Sequence, residues 1–165
     1  MLINNALCKE ERIAHYMLPI DFDETKEAVQ TNINSKREAL ELLRNDGAIV
    51  IFPAGGIATA QGMFGQVTDL EWKLFAAKLI QMTKATVIPI YFHGHNGRLF
   101  QLVSQFSLTL RLSLIIHEVK KQIGETLTLT VGDPIPYDDL ASIKKRSDLI
   151  EHLRKVIYDL PNQVQ

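Results

Sequence analysis

The stretch Gly47-Ala-Ile-Val-Ile-Phe-Pro-Ala-Gly-Gly-Ile-Ala-Thr-Ala60 constrains the fold more than any other part of the chain. Ala48 to Phe52 are apolar without alternation and β-branched at Ile49, Val50 and Ile51. A run of this kind reads as a strand buried on both faces, as in a parallel sheet. Pro53 has no amide hydrogen and ends the ladder. Gly55 and Gly56 then permit positive φ and leave backbone amides unshielded. Open α/β sheets place ligands where a strand runs into such a turn at its carboxyl end. A plain tight turn has the same signature, so this stretch alone does not establish a site.

Composition narrows the function classes. The net charge is -1 over 165 residues, which argues against a nucleic-acid binder driven by bulk charge. Cys8 is the only cysteine, which excludes an internal disulfide and a cysteine metal cluster. A reducing compartment fits. Residues 1–14 lack the basic and apolar regions of a secretory signal. Residues 47–68 carry no charge, but five glycines, a proline and two glutamines interrupt them, so they do not read as a membrane span.

Read in order, Met17 to Phe22 suggests a short first strand, with Pro19 placing it near an edge. Asp23 or Thr25 offers a helix cap. Helical spacing is clear within Ser35 to Arg44, where Ser35 and Glu38 suggest a capping box. Asn45-Asp46-Gly47 is a stop signal. A helix is expected from Asp69 to about Thr83, containing Trp72, Phe75, Leu79 and Ile80. Ala85 to Phe92 reads as a third strand and Thr126 to Val131, which alternates cleanly, as a fourth. Ser142 to Leu160 reads as a closing amphipathic helix with Ile143, Leu149, Ile150, Leu153, Val156 and Ile157 inward. The expectation is one α/β domain over residues 1–165: a mainly parallel sheet with helices packed on its faces.

The order of these blocks resembles the glycerolipid and lysophospholipid acyltransferase family. Val50-Ile-Phe-Pro-Ala-Gly-Gly-Ile-Ala-Thr59 is similar to the family's Phe-Pro-Glu-Gly-Thr-Arg block. Val87-Ile-Pro-Ile-Tyr-Phe92 is similar to its Val-Ile-Pro-Ile/Val block, and Val131-Gly-Asp-Pro-Ile-Pro136 to the turn that follows. Leu18-Pro-Ile-Asp-Phe22 sits where the family has Phe-Ile-Asp-Arg. The hemolysin-like or ornithine-lipid acyltransferase branch, where Phe-Pro-Ala-Gly is usual, resembles this chain most. The resemblance implies acyl transfer from acyl-ACP or acyl-CoA, as co-substrate, to a hydroxyl of a lysophospholipid or similar acceptor. It implies no metal or other cofactor, no nucleic acid, and work at the cytoplasmic face of a membrane with peripheral contact. By position it makes Phe52, Pro53, Ala54, Gly55, Gly56 and Pro89 the expected substrate-binding residues.

In the family a His-x-x-x-x-Asp block carries the proton chemistry, the His as general base on the acceptor hydroxyl. None of the five histidines here has an aspartate five residues on: those positions hold Ile20, Arg98, Phe100, Gln122 and Ile157. No catalytic residue is therefore assigned. The resemblance leads us to expect that the block lies upstream of Met1 and that the chain is the carboxyl-terminal part of an acyltransferase domain, its fold incomplete. Ala54 replaces the family's Glu, and Ile57-Ala58 stand where a cation is expected. Only Lys73 and Arg98 are near in sequence. The bare amides of Gly55 and Gly56 offer another way to receive an oxygen. His93-Gly-His95 suggests a metal pair but has no third ligand, and solvent-exposed histidines read the same way. Leu99 to Ile116 is apolar beyond one helical face, which suits either core packing or a lipid surface. The alternative reading is a non-catalytic lipid- or partner-binding fragment; a truncation product with a bared apolar edge is a third.

Overall fold

A computed structural model gives the architecture. It describes residues 1–4, 15–21, 25–55, 58–60, 67–94, 120–121 and 123–163. Among these, helices and a few short strands alternate. The strands form three pairs. β1 (Leu2–Asn4) runs parallel to β2 (Leu18–Ile20). β3 (Thr59–Ala60) is antiparallel to β4 (Val67–Thr68), and β5 (Ile90–Phe92) to β6 (Leu129–Val131). The helices are α1 (Lys26–Arg44), α2 (Phe75–Thr83), α3 (Tyr137–Leu140) and α4 (Arg146–Gln163).

The mixture of helices and strands matches the expectation; a mainly parallel sheet does not. Only one of the three described pairs is parallel. The residues expected to form a strand buried on both faces, 48–52, join no ladder among the described residues. Val50 and Phe52 are each more than half exposed, while Ile49 and Ile51 pack inward. An uninterrupted apolar run therefore hides one buried and one open face.

Helix α1 begins at one of the two caps expected before it, and not at Ser35. Thr25 is the N-cap, and its hydroxyl accepts from the Ala28 amide at 3.1 Å. Ser35 is an interior residue, not a cap. Its hydroxyl donates to the Pro19 carbonyl at 2.6 Å, and the side chain is buried. Ala28, Ser35 and Ala39 form a small-residue face at helical spacing, which lets α1 lie close to β2. The helix stops as expected: the Asn45 amide bonds back to Glu41, and the Gly47 amide to Leu42 at 2.8 Å.

Helix α2 starts later than expected, at Phe75. The Asp69 amide donates to the Tyr158 hydroxyl, and its carboxylate accepts from Trp72 Nε1, both at 2.9 Å. These bonds tie residues 69–72, which are not helical, to α4 and to Trp72, which packs in the core.

The core has two parts joined at Ile51. The larger is built on Trp72, Ala76, Ala77, Leu149, Ile150 and Leu153, where α2 meets α4. The smaller holds Leu18, Ala39 and Leu79 between β2, α1 and α2. Leu149, Ile150 and Leu153 point inward as the helical spacing predicted. The stretch Leu99 to Ile116 lies outside the described residues.

Candidate functional site

The third and fourth expected strands are shorter than read but pair with each other. Val87 and Ile135 exchange two backbone bonds, at 2.9 and 2.8 Å. Continuous pairing resumes at Ile90 opposite Val131 and continues to Phe92 opposite Leu129. Pro89 breaks the run because it has no N–H to give. Its carbonyl still accepts from the Gly132 amide at 2.9 Å. A side chain at Gly132 would crowd its neighbours. A Cβ on it would lie 2.6 Å from Leu160 Cδ2 and 3.0 Å from Pro89 Cγ.

This hairpin has two unlike faces. Successive strand residues alternate sides. Pro89 and Tyr91 belong to the side packed on α4: Pro89 is fully buried, and the Tyr91 ring stands edge-on to Tyr158 at 6.1 Å. Ile88 and Phe92 belong to the other, with Leu129 and Val131 beside them, and all four are exposed. Within β6, Thr130 is thus half-buried on the α4 side while Leu129 and Val131 face outward. An antiparallel sheet normally shows water its polar side.

The proline turn sits beside this open face. The Phe52 and Phe92 rings meet with centroids 6.0 Å apart. Gly55 takes φ 64°, a conformation that suits glycine, and its amide donates to the Phe52 carbonyl at 3.1 Å. That amide is engaged in the turn, so the expectation of a bare Gly55 N–H is not met. The Pro53 carbonyl accepts from the Lys73 amide at 2.9 Å, which ties the turn to the segment before α2.

The expected substrate-binding residues therefore divide. Phe52 and Gly55 are exposed; Pro53 is half-buried. Ala54 packs into the core with Trp72, and Pro89 is buried against Gly132 and Leu160. Gly56 lies outside the described residues, as do Arg98, His95 and His117. His93 bonds through Nε2 to Thr130 Oγ1 at 2.7 Å and stacks edge-on with Tyr91.

One cation was missed by sequence reasoning. Arg154 of α4 places its guanidinium 5.1 Å above the Tyr158 ring, and its Nη2 donates to the Asp69 carbonyl at 3.3 Å. Its Nε is buried with no hydrogen-bond partner among the described residues. The Arg154–Tyr158 pairing is legible as an i, i+4 spacing. Its link to Asp69 spans 85 residues and leaves no local signal.

Comparison with known proteins bears on these blocks. A family model described as Acyltransferase matches residues 1–165. A lyso-glycine lipid O-acyltransferase of Phocaeicola vulgatus is 32% identical over 123 residues, covering 70% of this chain and 43% of its own. A lyso-glycine lipid O-acyltransferase of Bacteroides thetaiotaomicron is 31% identical over 124 residues, covering 71% of this chain and 44% of its own. The chain thus spans less than half the length of these curated relatives. No solved structure matches it. With the whole chain matched, and the proline, glycine and strand blocks in the order described, this protein belongs to the acyltransferase family.

Proposed function

We propose that residues 1–165 form one domain that holds the lipid substrates of an O-acyl transfer. The reaction moves a fatty acyl group from acyl-ACP or acyl-CoA to the hydroxyl of a lysolipid. The acceptor class is an amino-acid lipid, by analogy with the lyso-glycine lipid in the names of the relatives. The acceptor oxygen loses its proton to a base and attacks the thioester carbonyl; the carbon–sulfur bond breaks, and the thiolate takes up a proton. The family pattern for that base, His-x-x-x-x-Asp, does not occur in these residues, so turnover requires a His/Asp pair from elsewhere in the parent protein or from a partner chain.

The observation that carries the reading is the apolar strip beside the proline turn. Val50, Phe52, Ile88, Phe92, Leu129 and Val131 are each 41% exposed or more. Contiguous apolar surface of this kind marks a contact with lipid or protein. Lipid is favoured because the family's substrates carry fatty chains. Among the described residues no helix is long and apolar enough to cross a membrane. The strip then serves for peripheral contact with the inner membrane face and for the acyl chain. Phe52 supplies the contact edge, Pro53, Ala54 and Gly55 its turn, Gly56 the continuation, and Pro89 the buried support behind β5.

The test is flotation of the purified chain with vesicles containing a lyso-glycine lipid, followed by acyl-thioester turnover. Co-flotation that falls several-fold in Phe52→Ser/Phe92→Ser supports the reading. Turnover that appears only when a His/Asp-bearing segment is restored supports the division of labour. A chain that binds neither vesicles nor acceptor overturns it.

A further inference from the structure

Lys36 of α1, Lys78 of α2 and Arg146 at the start of α4 bring three cations together from three helices. The Lys36 and Lys78 ammoniums approach to hydrogen-bonding range, and Arg146 stands close enough to add to the charge felt by Lys78. Both lysine side chains are half-buried, where α1 packs on α2, yet the Lys78 ammonium itself is open to solvent. The stems are held by packing and the charged end stays within reach of a ligand. Arg146 is exposed, and its Nε donates to Gln81 Oε1 at 3.2 Å. Gln81 lies one turn beyond Lys78 on α2. Its Nε2 donates to the Lys144 carbonyl at 3.0 Å, so the guanidinium is fixed against α2.

Like charges so placed repel. The local field is positive on balance: Lys36 first, and then Arg146, hold the Lys78 ammonium below its ordinary value. Asp148, two residues from Arg146, turns its carboxylate to Lys145 at 3.3 Å and to the Ser147 hydroxyl at 2.9 Å. An anion seated among the three cations converts their repulsion into attraction. An ammonium offers three donors and a guanidinium five, and phosphate presents several strong acceptor oxygens. A phosphate monoester carries about 1.5 to 2 negative charges at neutral pH, which suits three cations better than a single carboxylate does.

We propose that Lys36, Lys78 and Arg146 form a seat for a phosphate group that bridges α1, α2 and α4. The seat is built from helices alone and is independent of the apolar strip and its lipid reading. Free phosphate, coenzyme A and the headgroup of an anionic phospholipid all carry the phosphate oxygens that define its ligand. A bound phosphate neutralises the repulsion between the helices and stabilises the folded chain by mass action.

The experiment follows Tm and calorimetric binding of the intact chain against inorganic phosphate, with sodium chloride at matched ionic strength as the control. Phosphate is expected to raise Tm beyond the effect of chloride. Lys36→Met and Lys78→Met keep the aliphatic stems, and each is expected to weaken phosphate binding about tenfold. Neither is expected to lower Tm without phosphate, because each removes repulsion. Arg146→Met, at an exposed position, is expected to weaken binding likewise should a lysine variant misfold. Lys145→Met, which removes a neighbouring cation paired with Asp148, is expected to leave it unchanged. Titration with coenzyme A and flotation with phosphatidic acid vesicles separate the sources. Tighter, variant-sensitive binding of either one assigns the seat to that carrier, and variant-sensitive binding of inorganic phosphate alone assigns it to the free anion. Stabilisation no greater than that by chloride overturns the proposal, as does binding undiminished in all three seat variants. An equal loss in Lys145→Met overturns it too, because diffuse charge then accounts for the effect.

Discussion

Phe52 and Phe92 meet at the ends of two proline-containing segments, their ring centroids 6.0 Å apart and the planes inclined by 42°. Both rings remain substantially exposed, at 54% and 41%. An inclined aromatic pair contributes about 0.5–1.5 kcal/mol beyond its area burial. Phe92→Ser is therefore expected to lower stability by about 1 kcal/mol and to weaken vesicle binding several-fold. Urea denaturation and flotation read the two effects separately. A loss of stability with unchanged flotation would detach the strip from lipid.

Gly132 of the hairpin approaches Leu160 of α4 closely. Gly132→Ala places a methyl against Leu160 and Pro89, and overpacking of this kind costs about 1–3 kcal/mol. Leu160→Ala alone opens a cavity and costs about 2–5 kcal/mol. The double variant is expected to be more stable than the sum of the two losses predicts, because each change relieves the other. Additive losses in chemical denaturation would mean that the methyl finds room elsewhere.

Ser35 ties α1 to β2 through the Pro19 carbonyl. Ser35→Ala removes the donor and leaves that carbonyl short of a partner, which costs about 1–3 kcal/mol. Ser35→Thr keeps the hydroxyl but adds a methyl to a helix face with no space, and it is expected to destabilise as well. Thermal unfolding of the three proteins checks both statements.

Lys36 of α1 and Lys78 of α2 face one another, and the neighbouring lysine holds the Lys78 ammonium below its ordinary value. Arg146 adds to the repulsion. The folded state therefore releases the Lys78 proton at lower pH than the unfolded chain. Stability rises as pH climbs through the folded value and stops rising near the ordinary lysine value of 10.5. Lys36→Glu replaces repulsion with attraction. It is expected to raise Tm at neutral pH, by an amount that shrinks with added salt. A Tm that is lowered, or that is indifferent to salt, would contradict this.

Much of the local structure was legible in the residues. The stop at Asn45-Asp46-Gly47 and the inward face of α4 each follow from a rule about neighbours in sequence; the break at Pro89, inside the strand read over Ala85 to Phe92, came from the structure. The Thr25 cap was one of two candidates. Ser35 was misread because a serine followed three residues on by Glu38 reads the same way at a helix start and mid-helix; a carbonyl 16 residues upstream decided between them. Helix α2 is shorter than its apolar spacing, which continues back through Trp72, suggests; Asp69, before it, bonds instead to Trp72 and to a tyrosine 89 residues away.

The candidate site divides the same way. The sequence by itself determined the family, because the order and spacing of the proline and glycine blocks are properties of the chain. It also determined the absence of His-x-x-x-x-Asp within these 165 residues. Only the tertiary structure decided that Ala54 and Pro89 turn inward while Phe52 stays open, and that the hairpin shows its apolar side outward. It alone brought Arg154 to Asp69. Periodicity reports spacing along the backbone, but which side of a strand is covered depends on what packs against it, and in this fold that is α4, contributed by the far end of the chain.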